Sequence, residues 1–392
     1  MKTIFFIAAL LGLMSCGQSN QNIQNKNTPN NQSIPNNQNN QITLDEAIGK
    51  MLLVGFRGTE IDSTHHIWRD IRDYHVGSVI LFDYDAPTGT RGRNIKSPTQ
   101  VKQLCAQLHA LSPTLLIGID QEGGNVSRLS NRYGFPSTKS AQRCAKEGVD
   151  TVRHYARLTA QLLHEMGINL NFAPVADVNV NPSCPVIGGM GRSFSADTAV
   201  VGRCCALWID EQRKAGVTSC LKHFPGHGSA KGDTHKGLVD VTATWQRDEL
   251  APYRQLCSSP EGSENLMVMT AHVINRQLDP SGLPASLSPR ITSFLRDTLG
   301  FNGVIITDDL AMGAIAGQYS LEQTIRMALE AGADLLCLSN NGGHGYDANI
   351  VPKVVEIIKK LVADGIVSHE RICQSGLRVK ALTDSCAGNP LE

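Results

Sequence analysis

Three histidines, a lysine and a carboxylate lie close together in one short segment of this chain. The segment reads Lys222-His223-Phe224-Pro225-Gly226-His227-Gly228 and continues to Asp233-Thr234-His235. Histidine and carboxylate side chains are the residue types that transfer protons near neutral pH. The apolar run Val217 to Leu221 predicts a strand before the segment, and its proline and glycines disfavour a helix. The sequence therefore predicts that a strand end delivers these polar side chains into a loop.

The elements around this segment alternate between strand and helix. Eight apolar runs predict strands: Met51 to Phe56, Ser78 to Phe82, Leu115 to Ile119, Ile168 to Phe172, Val217 to Leu221, Leu266 to Thr270, Val304 to Ile306 and Leu335 to Leu338. Helical patterns between them cover Pro98 to Leu111, Ala141 to Met166, Thr198 to Ala215, Ser288 to Leu299 and Leu321 to Ala331. Such alternation indicates parallel β/α units, and eight units predict an α/β fold of the (β/α)₈ TIM-barrel type.

Polar residues follow nearly every predicted strand, at the end where barrel enzymes place their chemistry. They are Asp120, Asp177, Lys222 with His223, His272, Asp308 with Asp309, and Ser339 with Asn340. Charges enclosed beside an apolar strand need partners or a ligand. Carboxylates, a lysine and a histidine at one barrel mouth predict a site for a polar, uncharged, hydroxyl-rich molecule, which describes a sugar.

Composition and spacing argue against several other functions. Lys plus Arg and Asp plus Glu both number 36, so the net charge is zero and no basic excess favours nucleic acid. No phosphate-binding glycine motif stands between a strand and a helix, so we expect no nucleotide cofactor. His223 and His227 have zinc-like spacing, but Pro225 disfavours the helix that would align them, and we expect no metal. Cysteines at four predicted helix or strand positions are interpreted as small buried hydrophobes: Cys105, Cys204, Cys220 and Cys337.

We expect the first forty residues to carry targeting information and to contribute nothing to the fold. Lys2 precedes the apolar run Ile4 to Leu13, which is too short to span a membrane and leads to Ser15-Cys16. This pattern resembles a bacterial lipoprotein signal, which implies removal of residues 1–15 and lipidation of Cys16. Residues 16–41 predict a disordered Asn/Gln-rich tether, and residues 42–392 a single catalytic domain. An ordinary secretory peptide is the alternative. We expect a lipid-anchored envelope protein, on the periplasmic side of a membrane and monomeric.

Six motifs make the chain similar to the single-barrel bacterial β-N-acetylglucosaminidases of glycoside hydrolase family 3. They are Lys50 to Phe56, Ile119 to Gly124, Asn171 to Asp177, Gly191 to Phe194, Lys222 to His235 and Thr307 to Met312. The resemblance implies release of terminal β-linked N-acetylglucosamine from oligosaccharides, with a covalent intermediate and retained configuration. It implies no cofactor.

The resemblance also implies the roles of individual residues. Asp308 corresponds to the nucleophile; Asp309 is the competing choice, and on an extended chain only one of the two faces the sugar. His235 corresponds to the acid/base, with Asp233 orienting its ring, and Gly232 and Gly237 allow this loop to move. Five residues correspond to the sugar-binding set: Asp120, Arg128, Arg192, Lys222 and His223.

We expect supporting roles in the site for three further residues. His227 is expected to shape the loop, Asp177 to hold the site lysine or an arginine, and His272 to line the pocket.

Two departures from the family pattern lie near the predicted barrel mouth. Asn125 stands where relatives have arginine, and the segment from Asp83 to Ser97 elaborates the loop after the second strand. The group beyond the cleaved bond therefore remains open, with peptidoglycan fragments, chitin and host glycans as candidates. Other functions also remain open: a β-N-acetylglucosaminide phosphorylase, a β-glucosidase of the same fold, and a non-catalytic glycan-binding lipoprotein.

Overall fold

Eight parallel strands form the central sheet, and each coincides with one of the apolar runs. They are β1 Leu52–Gly55, β2 Ser78–Leu81, β3 Leu116–Ile119, β4 Leu170–Asn171, β5 Thr218–Phe224, β6 Leu266–Thr270, β7 Val304–Thr307 and β8 Leu336–Leu338. Neighbours follow the order β7-β6-β5-β4-β3-β2-β1-β8. A parallel bridge between Ile306 and Leu335 joins the two ends. The predicted (β/α)₈ barrel is confirmed.

The computed structural model describes residues 42–258, 265–342 and 345–387. The predicted signal peptide (1–15), the tether (16–41) and the lipidation site Cys16 lie outside the described residues. Within those described ranges, no helix has both the length and the apolar character needed to span a membrane.

Helices alternate with the strands along the described chain. They are α1 Leu44–Lys50, α2 His66–Asp73, α3 Pro98–Leu111, α4 Ala141–Glu147, α5 Val149–Met166, α6 Thr198–Lys214, α7 Ala251–Cys257, α8 Pro289–Ser293, α9 Gly313–Ala316, α10 Leu321–Ala331, α11 Ile350–Ala363 and α12 His369–Ala387. Local chemistry sets their ends: the Ser97 hydroxyl accepts from the Gln100 amide, and Pro98 opens α3. The predicted helices Pro98 to Leu111 and Leu321 to Ala331 match α3 and α10.

Two predicted helices are interrupted. The stretch from Ala141 to Met166 divides at Gly148, whose φ of +112° is incompatible with a continuous helix. The second, from Ser288 to Leu299, begins as α8 and changes to a π-helical turn at Phe294–Thr298. Both interruptions lie on the outer layer, so they leave the strand order unchanged.

Apolar side chains from alternate strand positions fill the barrel, including Leu53, Ile80, Leu116, Met267 and Ile306. A side chain at Gly118 of β3 would place its Cβ 2.8 Å from the Phe172 ring, so glycine makes room for that aromatic. Val379 and Leu382 of α12 join the same cluster. The interior of the barrel is therefore packed with apolar side chains below the strand C-terminal ends.

Candidate active site

A cavity of about 370 Å³ opens at the C-terminal ends of the strands, which is within the usual range for small-molecule sites. Its lining includes all five predicted sugar-binding residues: Asp120, Arg128, Arg192, Lys222 and His223. Asp308 and His235 also line it. The structure thus brings together side chains that lie up to 188 positions apart in the chain, between Asp120 and Asp308.

Lys222 is the centre of an ion cluster at the cavity floor. Its ammonium donates to Asp120 at 2.7 Å and contacts Glu122 at 2.8 Å. Arg192 donates to both oxygens of Glu122, at 2.8 and 2.7 Å. Burial opposes the ionisation of Glu122, but Arg192 and Lys222 outweigh it and lower its pKa to about 2. The cluster therefore stays ionised and holds Lys222 and Arg192 in fixed positions.

Glu122 is a functional residue that the sequence motifs did not single out, although it lies two residues from Asp120. Residues at i and i+2 of an extended segment share a face, and that spacing was the signal that could have identified it.

Arg128 also contacts Asp120, at 3.4 Å. Asp120 has a lowered pKa, since the nearby Lys222 and Arg128 charges outweigh the effect of its burial.

Lys222 and His223 both line the cavity because β5 is irregular at this point. Along β6, Val268 and Thr270 are two residues apart, whereas their β5 partners Leu221 and Phe224 are three apart. The extra residue is a β-bulge, which breaks the alternation that would send consecutive side chains to opposite faces. The bulge therefore supplies the cavity with two polar groups from adjacent positions.

Asp177 holds His223 rather than a lysine or an arginine, so that expectation was wrong. One Asp177 oxygen contacts His223 Nδ1 at 2.6 Å, and the other accepts from the His227 amide at 2.8 Å. Lys222 does not pair with Asp177 because two other carboxylates, Asp120 and Glu122, already neutralise its charge. His227 is buried, and its Nε2 lies 3.2 Å from the Thr234 hydroxyl. This contact fits the expected role of His227 in shaping the loop.

Asp308 and Asp309, which follow β7, differ in their partners. The Asp309 carboxylate accepts from the Ser339 amide at 3.0 Å, from the Ser339 hydroxyl and from the Ala311 amide at 3.1 Å. Asp308 accepts from the adjacent Asp309 amide at 2.8 Å. Nearby His272 and His223 outweigh burial and lower the pKa of Asp308, whereas burial raises the pKa of Asp309. Asp308 is therefore the ionised carboxylate that remains available to a ligand.

His272 is fully buried and is not part of the cavity lining, so the expectation that it lines the pocket was wrong. Its Nδ1 lies 2.6 Å from the Ser286 hydroxyl, and its Nε2 lies 2.8 Å from the Asp309 carbonyl oxygen. The His272 imidazole therefore supports the backbone of the segment that carries Asp308 and Asp309. Burial lowers the pKa of His272.

Asp233 and His235 form a contact pair above the floor. Asp233 Oδ1 lies 2.8 Å from His235 Nδ1 and accepts from the His235 amide at 2.9 Å. The His235 side chain is 63% exposed, and the loop is attached to α9 by the Ala314 amide, which donates to the Thr234 carbonyl. Because Nδ1 is paired with Asp233, Nε2 is the ring nitrogen available to a ligand in the cavity that His235 lines. An imidazole oriented by a carboxylate can donate and accept a proton there.

Within residues 42–258, 265–342 and 345–387, no three His, Cys, Asp or Glu side chains are grouped as a metal site would require. The four cysteines interpreted as small hydrophobes, Cys105, Cys204, Cys220 and Cys337, are all buried. Asn125 and Tyr84, from the two segments that depart from the family pattern, both line the cavity.

Comparisons with known proteins agree with this geometry. Residues 43–382 match the family described as "Glycosyl hydrolase family 3 N terminal domain". A β-hexosaminidase of Pseudomonas aeruginosa is 34% identical over 277 residues, covering 69% of this chain and 77% of the relative. The relative from Nitrosomonas eutropha, also named β-hexosaminidase, is 32% identical over 306 residues, covering 74% and 80%.

Two solved structures are similar over most of the chain. A family 3 β-N-acetylglucosaminidase from Paenibacillus has a TM-score of 0.78 and 33% identity, covering 90% of this chain and 64% of that protein. This chain therefore spans less than two thirds of its length. A β-N-acetylhexosaminidase from Beutenbergia cavernae has a TM-score of 0.74 and 28% identity, covering 88% and 99%.

Proposed function

Because the chain belongs to glycosyl hydrolase family 3, we propose that it releases terminal β-linked N-acetylglucosamine from oligosaccharides by hydrolysis. The curated relatives are named β-hexosaminidase, and the similar structures are β-N-acetylglucosaminidases. The cavity suits such a substrate: its floor presents fixed charged donors and acceptors for hydroxyl groups, enclosed by apolar walls. Family 3 enzymes retain the anomeric configuration, which requires two displacements at the same carbon.

In the first displacement, Asp308 is the nucleophile. Its carboxylate attacks the anomeric carbon, forming a glycosyl-enzyme ester as the bond to the leaving oxygen breaks. Two observations support this choice over Asp309: Asp308 has a lowered pKa, and the Asp309 oxygens are occupied by Ser339 and Ala311. Rotating Asp309 toward a sugar would leave those buried donors without partners, which is costly.

His235 serves as the acid and then as the base. It protonates the leaving oxygen in the first step and removes a proton from water in the second, while Asp233 holds the ring and stabilises the imidazolium. The 2.8 Å contact between them supports this assignment. A histidine can carry out both proton transfers without the desolvation that a carboxylic acid needs for the same task.

Asp120, Arg128, Arg192, Lys222 and His223 bind the sugar ring. In this proposal Asp120 accepts from ring hydroxyls, and the other four side chains donate to the remaining oxygens. Glu122 acts through Lys222 and Arg192, as a positioning residue whose bidentate pair with Arg192 orients both donors.

One observation carries the proposal: a single cavity is lined by both the available carboxylate Asp308 and His235, whose ring is paired with Asp233. The test compares 4-nitrophenyl β-N-acetylglucosaminide with the matching β-glucoside, for the wild type and for Asp308→Ala. We expect cleavage of the N-acetyl substrate only, and a loss of about 10⁴-fold or more in the variant. Azide should then rescue the variant and yield the α-glycosyl azide. A preference for the glucoside would contradict the sugar assignment, and an unimpaired variant would contradict the nucleophile assignment.

We propose further that the enzyme is anchored in the cell envelope through a lipid on Cys16 and acts there on peptidoglycan-derived or other oligosaccharides. The residues Leu13 to Cys16 support this proposal. We expect the chain expressed in a Gram-negative host to partition into the detergent phase of Triton X-114, and Cys16→Ser to move it to the aqueous phase. Equal partitioning of the two chains would contradict lipidation at this position.

A further inference from the structure

The mouth of the cavity carries a β-hairpin that the proposed mechanism does not use. After β2, the chain forms two short antiparallel strands, Tyr84–Asp85 and Thr90–Arg91, with Tyr84 opposite Arg91. The Gly92 amide donates to the Asp83 carbonyl at 2.7 Å and closes the base of this hairpin. Tyr84 and Ala86 line the cavity alongside the catalytic groups.

Ion pairs hold the hairpin to the barrel. Asp85 accepts two hydrogen bonds from Arg57, at 2.6 and 2.9 Å, and a third from Arg93 at 3.2 Å. Hydrogen bonding to Arg57 is the main reason that the pKa of Asp85 falls to about 2. Because Arg57 follows β1 and Arg93 follows the hairpin, these contacts attach it at two separate points.

Asn341, which follows β8, clamps the other edge. Its side-chain oxygen accepts from the Ala86 amide at 2.9 Å, and its side-chain nitrogen donates to the Tyr84 carbonyl at 3.0 Å. Both bonds go to the backbone, so they position residue 84 without engaging its side chain. The hairpin is therefore preformed, and a ligand that contacts it incurs little cost of ordering.

Tyr84 remains exposed on this fixed support. Among the described residues, four large apolar side chains are exposed, and Tyr84, at 39%, is the one that lines the cavity; the others are Val149, Leu238 and Ile366. The Arg91 guanidinium carbon lies 5.6 Å from the ring centroid, which is within the range of a cation–π contact. An exposed aromatic held in place at a cavity mouth is typical of a binding surface.

We propose that Tyr84 is the stacking platform for the sugar ring on the far side of the cleaved bond. The inference rests on the proposed function: if the terminal sugar occupies the charged floor, the rest of the oligosaccharide must leave through the mouth. A pyranose presents an apolar face of C–H groups, which a tyrosine ring covers while its hydroxyl stays in water. Arg91 fixes one side of the ring and supplies donors to neighbouring hydroxyls.

The test uses two substrates that share the terminal sugar and differ beyond the cleaved bond: N,N′-diacetylchitobiose and methyl β-N-acetylglucosaminide. We expect Tyr84→Ala to lower kcat/KM for the disaccharide about tenfold and to change that for the methyl glycoside less than about twofold. Tyr84→Phe should keep the wild-type ratio, because the ring face rather than the hydroxyl makes the contact. Ile366→Ala is the matched control, since its side chain has similar exposure at 40% and does not line the cavity.

The outcomes separate the two proposals. A wild-type enzyme that cleaves neither substrate contradicts the proposed function itself. If the wild type cleaves both, an equal loss on both substrates in Tyr84→Ala, or no loss on either, overturns the platform. Retained activity of Tyr84→Ala on the methyl glycoside also demonstrates that the variant is folded, so a selective loss on the disaccharide is assigned to the missing ring.

Discussion

Asp308 and Asp309 are chemically identical neighbours that the surrounding residues put to different uses. Three donors from Ser339 and Ala311 hold the Asp309 carboxylate in place, and Asp308 is left to face the cavity. Their pKa values are shifted in opposite directions, downward for Asp308 by nearby imidazoles and upward for Asp309 by burial. A nucleophile must be ionised and unoccupied, so the partners of each carboxylate decide its role.

The same residue scale carries a prediction for the acid/base. His235→Ala should lower kcat/KM for N,N′-diacetylchitobiose by about 10²- to 10⁴-fold, because the sugar alkoxide is a poor leaving group without a proton. The loss should be much smaller for 4-nitrophenyl β-N-acetylglucosaminide, whose phenolate leaves without help. Steady-state kinetics on both substrates checks this, with the exposed His154→Ala as control. Equal losses on the two substrates would assign His235 to binding instead.

Among the elements of the fold, β5 and the loop after it supply four of the proposed site residues: Lys222, His223, Asp233 and His235. The bulge at Lys222 and His223 turns consecutive side chains into the cavity, and the loop then places His235 above them. This segment is held by Asp177 beneath His223 and by the Ala314 amide beneath Thr234. The loop thus reaches the mouth with its backbone supported at both ends.

Gly148 lies between helices α4 and α5 in the outer layer, and its backbone conformation can be tested by substitution. At φ +112° and ψ 171° it occupies a conformation that is essentially restricted to glycine, where α4 ends and α5 begins. Gly148→Ala should lower the free energy of unfolding by about 1–3 kcal/mol, although a Cβ there would meet no atom within 4 Å. Urea unfolding measures the effect. Gly237→Ala, whose Cβ also has open space but whose φ is not in the positive range, should change stability by less than about 0.5 kcal/mol. Similar values for the two variants would refute a conformational cause.

Over the whole molecule, positive and negative side chains are equal in number, but individual buried carboxylates differ in their charged partners. Glu122 is buried with two cations, whereas Glu249 is buried with one oxygen accepting from the Gln246 amide and the other without a hydrogen-bond partner. A Cβ on Gly226 would lie 2.9 Å from that unpartnered oxygen, so Glu249 packs directly against the loop that follows β5. Burial raises the pKa of Glu249 to about 7.

The pKa of Glu249 predicts how stability depends on pH. The folded-state pKa is above the reference value of 4.5, so the folded protein binds this proton more tightly than the unfolded chain does. The resulting stability is complete below pH 4.5 and is lost as pH rises through 7. At 1.36 kcal/mol per pKa unit, the loss is about 3 kcal/mol.

Glu249→Gln tests this pH dependence, because it keeps the acceptor for Gln246 and cannot ionise. We expect the melting temperature of the variant to exceed that of the wild type at pH 8 and to match it at pH 4. The exposed Glu60→Gln is the control. A constant difference between the variant and the wild type at both pH values would contradict the linkage.

The sequence by itself determined the barrel and most of the site. Apolar runs, helix caps such as Ser97 and strand-end polar residues are local signals, and each acts within a few positions of the chain. Strand number and order then place Asp120, Lys222 and Asp308 at one mouth. The resemblance to family 3 added roles that spacing alone does not define.

Only the tertiary structure decided which neighbour each polar side chain would have. Ser339 locks Asp309 from 30 positions away, and Asn341 fixes the Tyr84 backbone from 257 positions away. The partners of Asp177 and His272, and the cluster that includes Glu122, likewise depend on contacts between strands remote in sequence. A buried polar group pairs with whichever donor or acceptor the fold brings within about 3 Å, and no local pattern along the chain encodes that distance.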